Sequence, residues 1–278
     1  MYSRRLKCTR YNSAVYRGIP SRFLVMSCAY CDSSNDLTKE HLYPECLQKR
    51  RGDNSVYSSK AVPGQFVGGS ALQIGDVCST CNNEVLSELD QYFCGLYDSC
   101  IAGHTFEAGE KIDFDYDYNY LLRWLLKMLY NNARARTAEE EHVKRLRQYA
   151  EFVIEGESTP SNVLLLVRVT VPYEENEGKI TPSHMACGLI DLDEFDYRIG
   201  ETYLVSIDSF DFILAVLCGS SFREKALESL SQDPSLGTVS RLNPGDDSTR
   251  LTASETTALH VDGQLVMEDW EKWNRRAS

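Results

Sequence analysis

The chain lacks any apolar run close to the roughly 20 residues that a bilayer-spanning helix needs. Its longest candidate, Leu121 to Leu129, is interrupted by Arg123 and Lys127 and reads instead as a buried amphipathic helix. The basic start, Met1-Tyr2-Ser3-Arg4-Arg5-Leu6-Lys7, has no apolar stretch behind it, so a cytoplasmic protein without a membrane partner is expected. Walker and dinucleotide-binding glycine patterns are missing, which removes the common nucleotide-dependent classes. There is no internal repeat, which removes solenoids and propellers. Cysteine is too sparse for a secreted disulfide scaffold, with 10 in 278 residues. Cys8, Cys46, Cys94, Cys100, Cys187 and Cys218 read as reduced thiols, none with an obvious His/Asp partner for nucleophilic work. Histidine is equally scarce: His104, His142, His184 and His260 stand among non-ligand neighbours and read as structural or surface residues.

Positive charge is nearly absent from residues 61–118, which hold one Lys/Arg against 10 Asp/Glu. The net charge of −12 therefore hides a polarised chain, since residues 1–60 hold 11 Lys/Arg against 5 Asp/Glu. Arg4, Arg5, Lys7, Arg10, Arg17 and Arg22, interleaved with Tyr11, Tyr16 and Phe23, form one basic cluster, and Lys49-Arg50-Arg51 form another. Such clusters can track a phosphate backbone, or they can be ordinary solvated surface. The acidic remainder would limit indiscriminate DNA binding and fits an enzyme directed by a partner or by a particular DNA structure.

What stands out is a pair of Cys-x-x-Cys knuckles, Cys28/Cys31 and Cys78/Cys81. Four thiolates complete a tetrahedral zinc shell, and a two-residue gap lets one knuckle place both sulfurs on the same ion. The expected cofactor is thus one structural Zn²⁺. It would staple the ends of a 46-residue loop from Asp32 to Val77. The only histidine between the knuckles, His41, lies in that loop beside Glu40, and Asn82 follows Cys81 directly.

These residues resemble an HNH endonuclease of the zinc-containing kind: Cys28-x-x-Cys31, then Leu37-Thr38-Lys39-Glu40-His41-Leu42-Tyr43-Pro44, then Val77-Cys78-x-x-Cys81-Asn82-Asn83. The resemblance covers roughly residues 26–93. It implies a ββα-metal hairpin with Glu40-His41 near the end of its first strand, a proline three residues after His41, and Asn82 opening the helix. It further implies that His41 is the general base and that Glu40 and Asn82 hold a catalytic metal. Two hard oxygen ligands favour Mg²⁺ or Mn²⁺ at that position. Where the family carries a middle asparagine that pins the loop of the base, this chain has Gln73, whose amide offers the same groups on a longer side chain. Asn83 competes with Asn82 as ligand. The implied activity is hydrolysis of DNA by nicking or double-strand cleavage. Small standalone proteins of this kind often resemble effectors of prokaryotic antiphage systems, and such a role is the corresponding expectation. A zinc ribbon that binds nucleic acid or protein without catalysis explains the same cysteines, and an RNA-directed nuclease would use the same residues.

The expected fold class is α+β, in four parts: a basic segment 1–25, the zinc-containing module 26–94, a linker 95–118, and an α+β domain 119–278 for recognition or assembly with a protein partner or activator. Val85, Leu86 and Leu89 predict a helix from Asn82 to about Phe93. Gly95, Gly103 and Gly109 suggest the linker, although Asp113-Phe114-Asp115-Tyr116-Asp117-Tyr118 alternates as an edge strand would. Two helices are expected between Tyr120 and Ile154, the second capped at Thr137 with Glu140, and Arg134 and Arg136 between them would meet phosphate or solvent. Strands are expected at Val163–Val171, Ala186–Leu192, Tyr203–Ile207 and Phe212–Leu217. A short helix is expected at Phe222–Leu230 and a hairpin turn at Val261-Asp262-Gly263-Gln264.

Overall fold

The computed structural model describes residues 27–51, 55–59, 66–68, 73–135, 140–171, 173–175, 178–180, 185–255, 259, 261–262 and 265–269. The basic segment 1–25, Arg136, Thr137, His184, His260 and the turn at Gly263-Gln264 lie outside the described residues. In chain order the elements are β1 (Leu37–His41), α1 (Glu45–Arg51), β2 (Ser55–Ser59), β3 (Phe66–Gly68) and β4 (Gln73–Cys78). A wide, π-type helical segment over Cys81–Leu86 then runs into α2 (Ser87–Cys100). Next come β5 (Lys111–Asp115), α3 (Tyr118–Ala135), α4 (Glu140–Arg147) and α5 (Ala150–Glu155). The rest is mostly sheet: β6 (Val163–Thr170), β7 (Tyr173–Glu175), β8 (Gly178–Ile180), β9 (Met185–Ile190), β10 (Gly200–Ile207) and β11 (Phe210–Leu217). Helix α6 (Arg223–Gln232) precedes β12 (Ser240–Leu242), β13 (Ser248–Ser254), β14 (Val261–Asp262) and β15 (Leu265–Asp269).

Strands β1 and β4 form their own antiparallel ribbon, and β7 and β8 form another. The other 11 strands form one sheet, nine of them along the path β3-β2-β15-β9-β10-β11-β6-β13-β5, with β12 paired to β6 and β14 to β9 beside it. Its antiparallel centre is built from the four strands whose sequences are nearly unbroken apolar runs. Those runs are explained by cover on both faces. Val163, Leu165 and Val167 of β6, with Phe210, Phe212 and Leu214 of β11, face a core shared with α3 and the Cys-rich ribbon. Leu164 and Leu166, with Ile213 and Ala215, face a second core closed by Ala226 and Leu230 of α6. The period of two thus sorts one apolar run into two cores. Among the described residues no helix is long and apolar enough to cross a membrane.

The expected division at 95–118 is corrected. Helix α2 runs through Gly95 to Cys100, and β5 pairs along its whole length with β13. Ile112, Phe114 and Tyr116 are buried while Asp113, Asp115 and Asp117 stay exposed, so the alternating segment is an edge strand. One continuous core holds residues from Cys28 to Ala253, across the expected boundary. The cause is α2: Leu86, Leu89, Phe93, Leu96 and Tyr97 are all buried, more apolar surface than a two-stranded ribbon can cover. Helix α3 covers it. Phe93 stacks on Trp124 of α3 with ring centroids 3.5 Å apart and meets Phe212 of the sheet edge-on at 6.1 Å. Three helices, not two, occupy the stretch from Tyr118 to Glu155, because the chain turns at Tyr149.

The cysteines need a second correction. Cys46 and Cys94 are joined by a disulfide that ties α1 to α2, and Cys218 is also disulfide-bonded. Helix α1 lies along α2, which brings the Cys46 and Cys94 Cα atoms to 6.4 Å, inside the range a disulfide spans. Their separation of 48 residues hides this in the sequence. Cys100 and Cys187 remain thiols.

Phe93 touches both sides of the former boundary, so Phe93→Ala is expected to destabilise the entire chain by about 3–5 kcal/mol. Urea unfolding followed by far-UV circular dichroism should show a single, earlier transition. A second transition left at its original midpoint would contradict the shared core.

Candidate metal centre and its flanking strand

The first knuckle is a tight turn before β1, closed by the Asp32 N–H donating to the Cys28 carbonyl at 3.0 Å, with Asp32 itself in the left-handed region at φ 59°. The second straddles the end of β4 and the start of the helix, where Cys78 and Cys81 are buried. The backbone N–H of Ala29 donates to the Asp76 carbonyl at 2.8 Å and sews one knuckle to the other. As a result all four sulfurs lie within 4.8 Å of one another.

Burial opposes ionisation of Cys28, but backbone N–H groups of Cys78, Cys31 and Tyr30 and the Cys78 thiol outweigh it and bring the pKa down to about 7. Burial and the neighbouring sulfurs push Cys81 well up, and burial also raises Cys31. Protein groups alone therefore favour one thiolate and penalise the next. A divalent soft cation removes that penalty, and a set of four thiolates at this spacing fits a structural zinc ion.

The ribbon beside this cluster carries the other candidates. His41 sits opposite Gln73 in the β1–β4 register, with Gln73 Nε2 2.8 Å from His41 Nε2. Asn82, half-buried at the head of the helix, donates through Nδ2 to Thr38 Oγ1 at 2.8 Å and to the Lys39 carbonyl at 3.0 Å. Thr38 in turn donates to the Val77 carbonyl at 2.9 Å. Asn83 is exposed, which separates it from the competing Asn82. His41 and Gln73 are thus brought together, and Asn82 is brought against β1.

Neither a family model nor a curated protein nor a solved structure matches the chain. The side chains themselves carry the functional argument.

Glu40 is drawn inward, away from the mouth of the ribbon. It is buried, and its Oε1 lies 2.7 Å from Nζ of Lys127, a residue of α3 with no exposed side-chain surface. Asn131 Nδ2 donates to the same Oε1 at 3.3 Å. On its other side Lys127 meets Asp90 Oδ1 of α2 at 2.6 Å, and Trp124 Nε1 donates to that oxygen at 3.1 Å. Burial works against the Lys127 charge, yet Asp90 and Glu40 together hold its pKa above that of an ordinary lysine. Burial raises Asp90, helped by the Glu40 charge and opposed by Lys127 and Trp124. The network continues outward: the Tyr30 hydroxyl donates to Asn131 Oδ1 at 2.6 Å, and Arg134 pairs with Asp76 at 2.6 Å.

Sequence reading missed Lys127, Asp90 and Asn131. The signal was their register: Trp124, Lys127 and Asn131 follow one another at three and four residues along the buried stripe of α3. Two basic features left open between phosphate and solvent have partners within the chain. Lys49 pairs with Glu45 at 3.0 Å and Arg50 pairs with Asp98 at 2.6 Å, while the Arg134 guanidinium lies 4.5 Å over the Tyr130 ring. His142 pairs with Glu201 at 3.3 Å, and His104 stacks beside Phe106.

Two outcomes are expected. Metal analysis of purified protein should find one zinc per chain, and Cys81→Ser should lower that content together with the melting temperature. Lys127→Met should cost about 3–5 kcal/mol in denaturant unfolding, because two buried carboxylates lose their counter-charge. A change under about 1 kcal/mol would mean that water reaches the network.

Proposed function

We propose that the chain is a metal-dependent endonuclease of the HNH kind, hydrolysing DNA phosphodiester bonds at the mouth of the β1–β4 ribbon. The observation that carries this reading is the His41–Gln73 pair, a histidine oriented by an amide across the strand register and beside a four-cysteine staple. The succession of ribbon and helix supports it, because β1, β4 and the helix from Cys81 follow the strand–strand–helix order that the resemblance implies.

In this reading His41 accepts the proton of the attacking water. Gln73 fixes the imidazole plane. Gln73 places its amide nitrogen against His41 Nε2, so the amide N–H donates and that ring nitrogen accepts. Asn82 spends its Nδ2 on Thr38 and Lys39, which leaves its carbonyl oxygen as a donor for a cation. Glu40 is the second ligand that the resemblance implies, and its carboxylate is held by Lys127 and Asn131. Hard oxygen ligands of this type would favour Mg²⁺ or Mn²⁺. When bound, such an ion neutralises the phosphate and the departing 3′ oxygen. The thiolates of Cys28, Cys31, Cys78 and Cys81 act only as a staple.

The test is plasmid cleavage by full-length protein with Mg²⁺ or Mn²⁺ and an EDTA control. Nicking or linearisation that needs metal is expected, with His41→Ala lowering the rate by about 10²–10⁴-fold. Undiminished cleavage by His41→Ala would sink the assignment. Preferential digestion of a matched RNA would redirect the substrate class, and an inert wild type across metals would favour a zinc-ribbon binding module.

A further inference from the structure

We propose that the cleft between the N-terminus of α3 and the turn joining β12 to β13 binds a small organic cation, one that carries an ammonium or guanidinium group. The cleft has a volume of about 360 Å³, the size of a small-molecule site. Tyr116, Tyr118 and Thr159 form part of its wall, and Asp117, Asp246 and Asp247 stand exposed around it. The Tyr116 hydroxyl is buried and has no hydrogen-bond partner; the Asn243 backbone approaches it and stops short of hydrogen-bond geometry. Burial, and then the charges of Asp246 and Asp247, push its pKa up to about 12, so it stays a neutral hydroxyl beside those carboxylates. A buried hydroxyl left unpaired is costly, and an N–H brought in by a ligand removes that cost. The three carboxylates likewise have no counter-charge. Among the described residues they accept only from neutral donors: Asp117 from the N–H groups of Asn119 and Tyr120, Asp246 from Asn243 Nδ2, and Asp247 from Ser248 Oγ. An anion at the head of α3 would need the free N–H groups there, and Asp117 already takes two of them. A metal ion would need its ligands gathered about one point, and among the described residues only the four cysteines are so gathered. Carboxylates set apart beside two tyrosines fit an extended organic cation, which aromatic rings also attract. None of these residues belongs to the β1–β4 ribbon, so the inference stands apart from the nuclease reading.

The probe is agmatine, with a guanidinium at one end and an ammonium at the other, titrated into the full-length chain by calorimetry at about 0.15 M ionic strength. Saturable binding of one agmatine per chain is expected, with a rise in melting temperature. Tyr116→Phe should weaken binding about 10-fold, the contribution of one hydrogen bond to a charged group. The same variant should leave the melting temperature of the ligand-free chain unchanged or higher, because the hydroxyl it removes makes no bond there. Asp246→Asn, where water screens the charge, should weaken binding about 2–5-fold. Asp193→Asn, an exposed carboxylate away from the cleft, should bind like wild type. N-acetylarginine amide separates the sources of such a cation: binding as tight as that of agmatine assigns the cleft to a basic side chain of another polypeptide, and weaker binding assigns it to a free amine. No saturable binding of either probe overturns the proposal. So does undiminished binding by Tyr116→Phe or Asp246→Asn, or equal weakening by Asp193→Asn, since either means diffuse attraction to an acidic surface. A clear fall in the ligand-free melting temperature of Tyr116→Phe also overturns it, because the hydroxyl would then be already paired.

Discussion

An ammonium group with no access to water has to be satisfied by the protein, and around Lys127 that requirement dictates how three elements meet. Strand β1 supplies Glu40, α2 supplies Asp90 and α3 supplies the lysine. Apolar packing alone would tolerate α3 sliding or rotating against its neighbours, since Leu121, Leu122, Leu125 and Met128 are close in volume. A charge bracketed by two carboxylates tolerates neither, because each displacement strands a buried ion. The stacked pair Phe93–Trp124 lies beside this bracket and gives it a flat, dry wall. Trp124 contributes twice, through its ring and through the N–H it gives Asp90.

The ribbon is held from the outside by two covalent or metal-linked fasteners at different depths. The cysteine cluster gathers Cys28 and Cys31 against Cys78 and Cys81, and the Cys46–Cys94 bridge ties α1 to α2 further along. Between them sits the short stretch from Leu37 to Pro44 that carries His41. Constraining the two ends of a loop lowers the entropy its middle can regain, so a histidine there needs few contacts of its own to stay oriented. Among the described residues its ring is paired with Gln73, which is consistent with that economy.

How much of this could be read from residue order depends on whether the cause was local. Val163–Thr170 and Phe210–Leu217 were legible because strands covered on both faces are apolar at every position. The knuckles were legible because their ligands are two residues apart. Gly95 misled, since a glycine inside a helix looks like a break until the packing of Phe93 and Leu96 against α3 outweighs its cost. Lys127 misled because lysines in amphipathic helices usually reach out to water, and only the far-off Glu40 and Asp90 explain why this one does not. Cys46 and Cys94 were opaque for the same reason: the packing of one helix along another is not written in either helix alone.

The outer edge of the large sheet also carries information beyond its own stability. Strand β5 ends the hydrogen-bonded order, and the side chains it leaves outward are Lys111, Asp113 and Asp115. A row of ionised groups along a terminal strand makes strand addition by a neighbouring molecule unfavourable, because the incoming backbone would have to desolvate them. The acidic alternation at 113–117 thus sets charge along the strand that ends the described order of the sheet, where an apolar alternation would favour pairing with another chain.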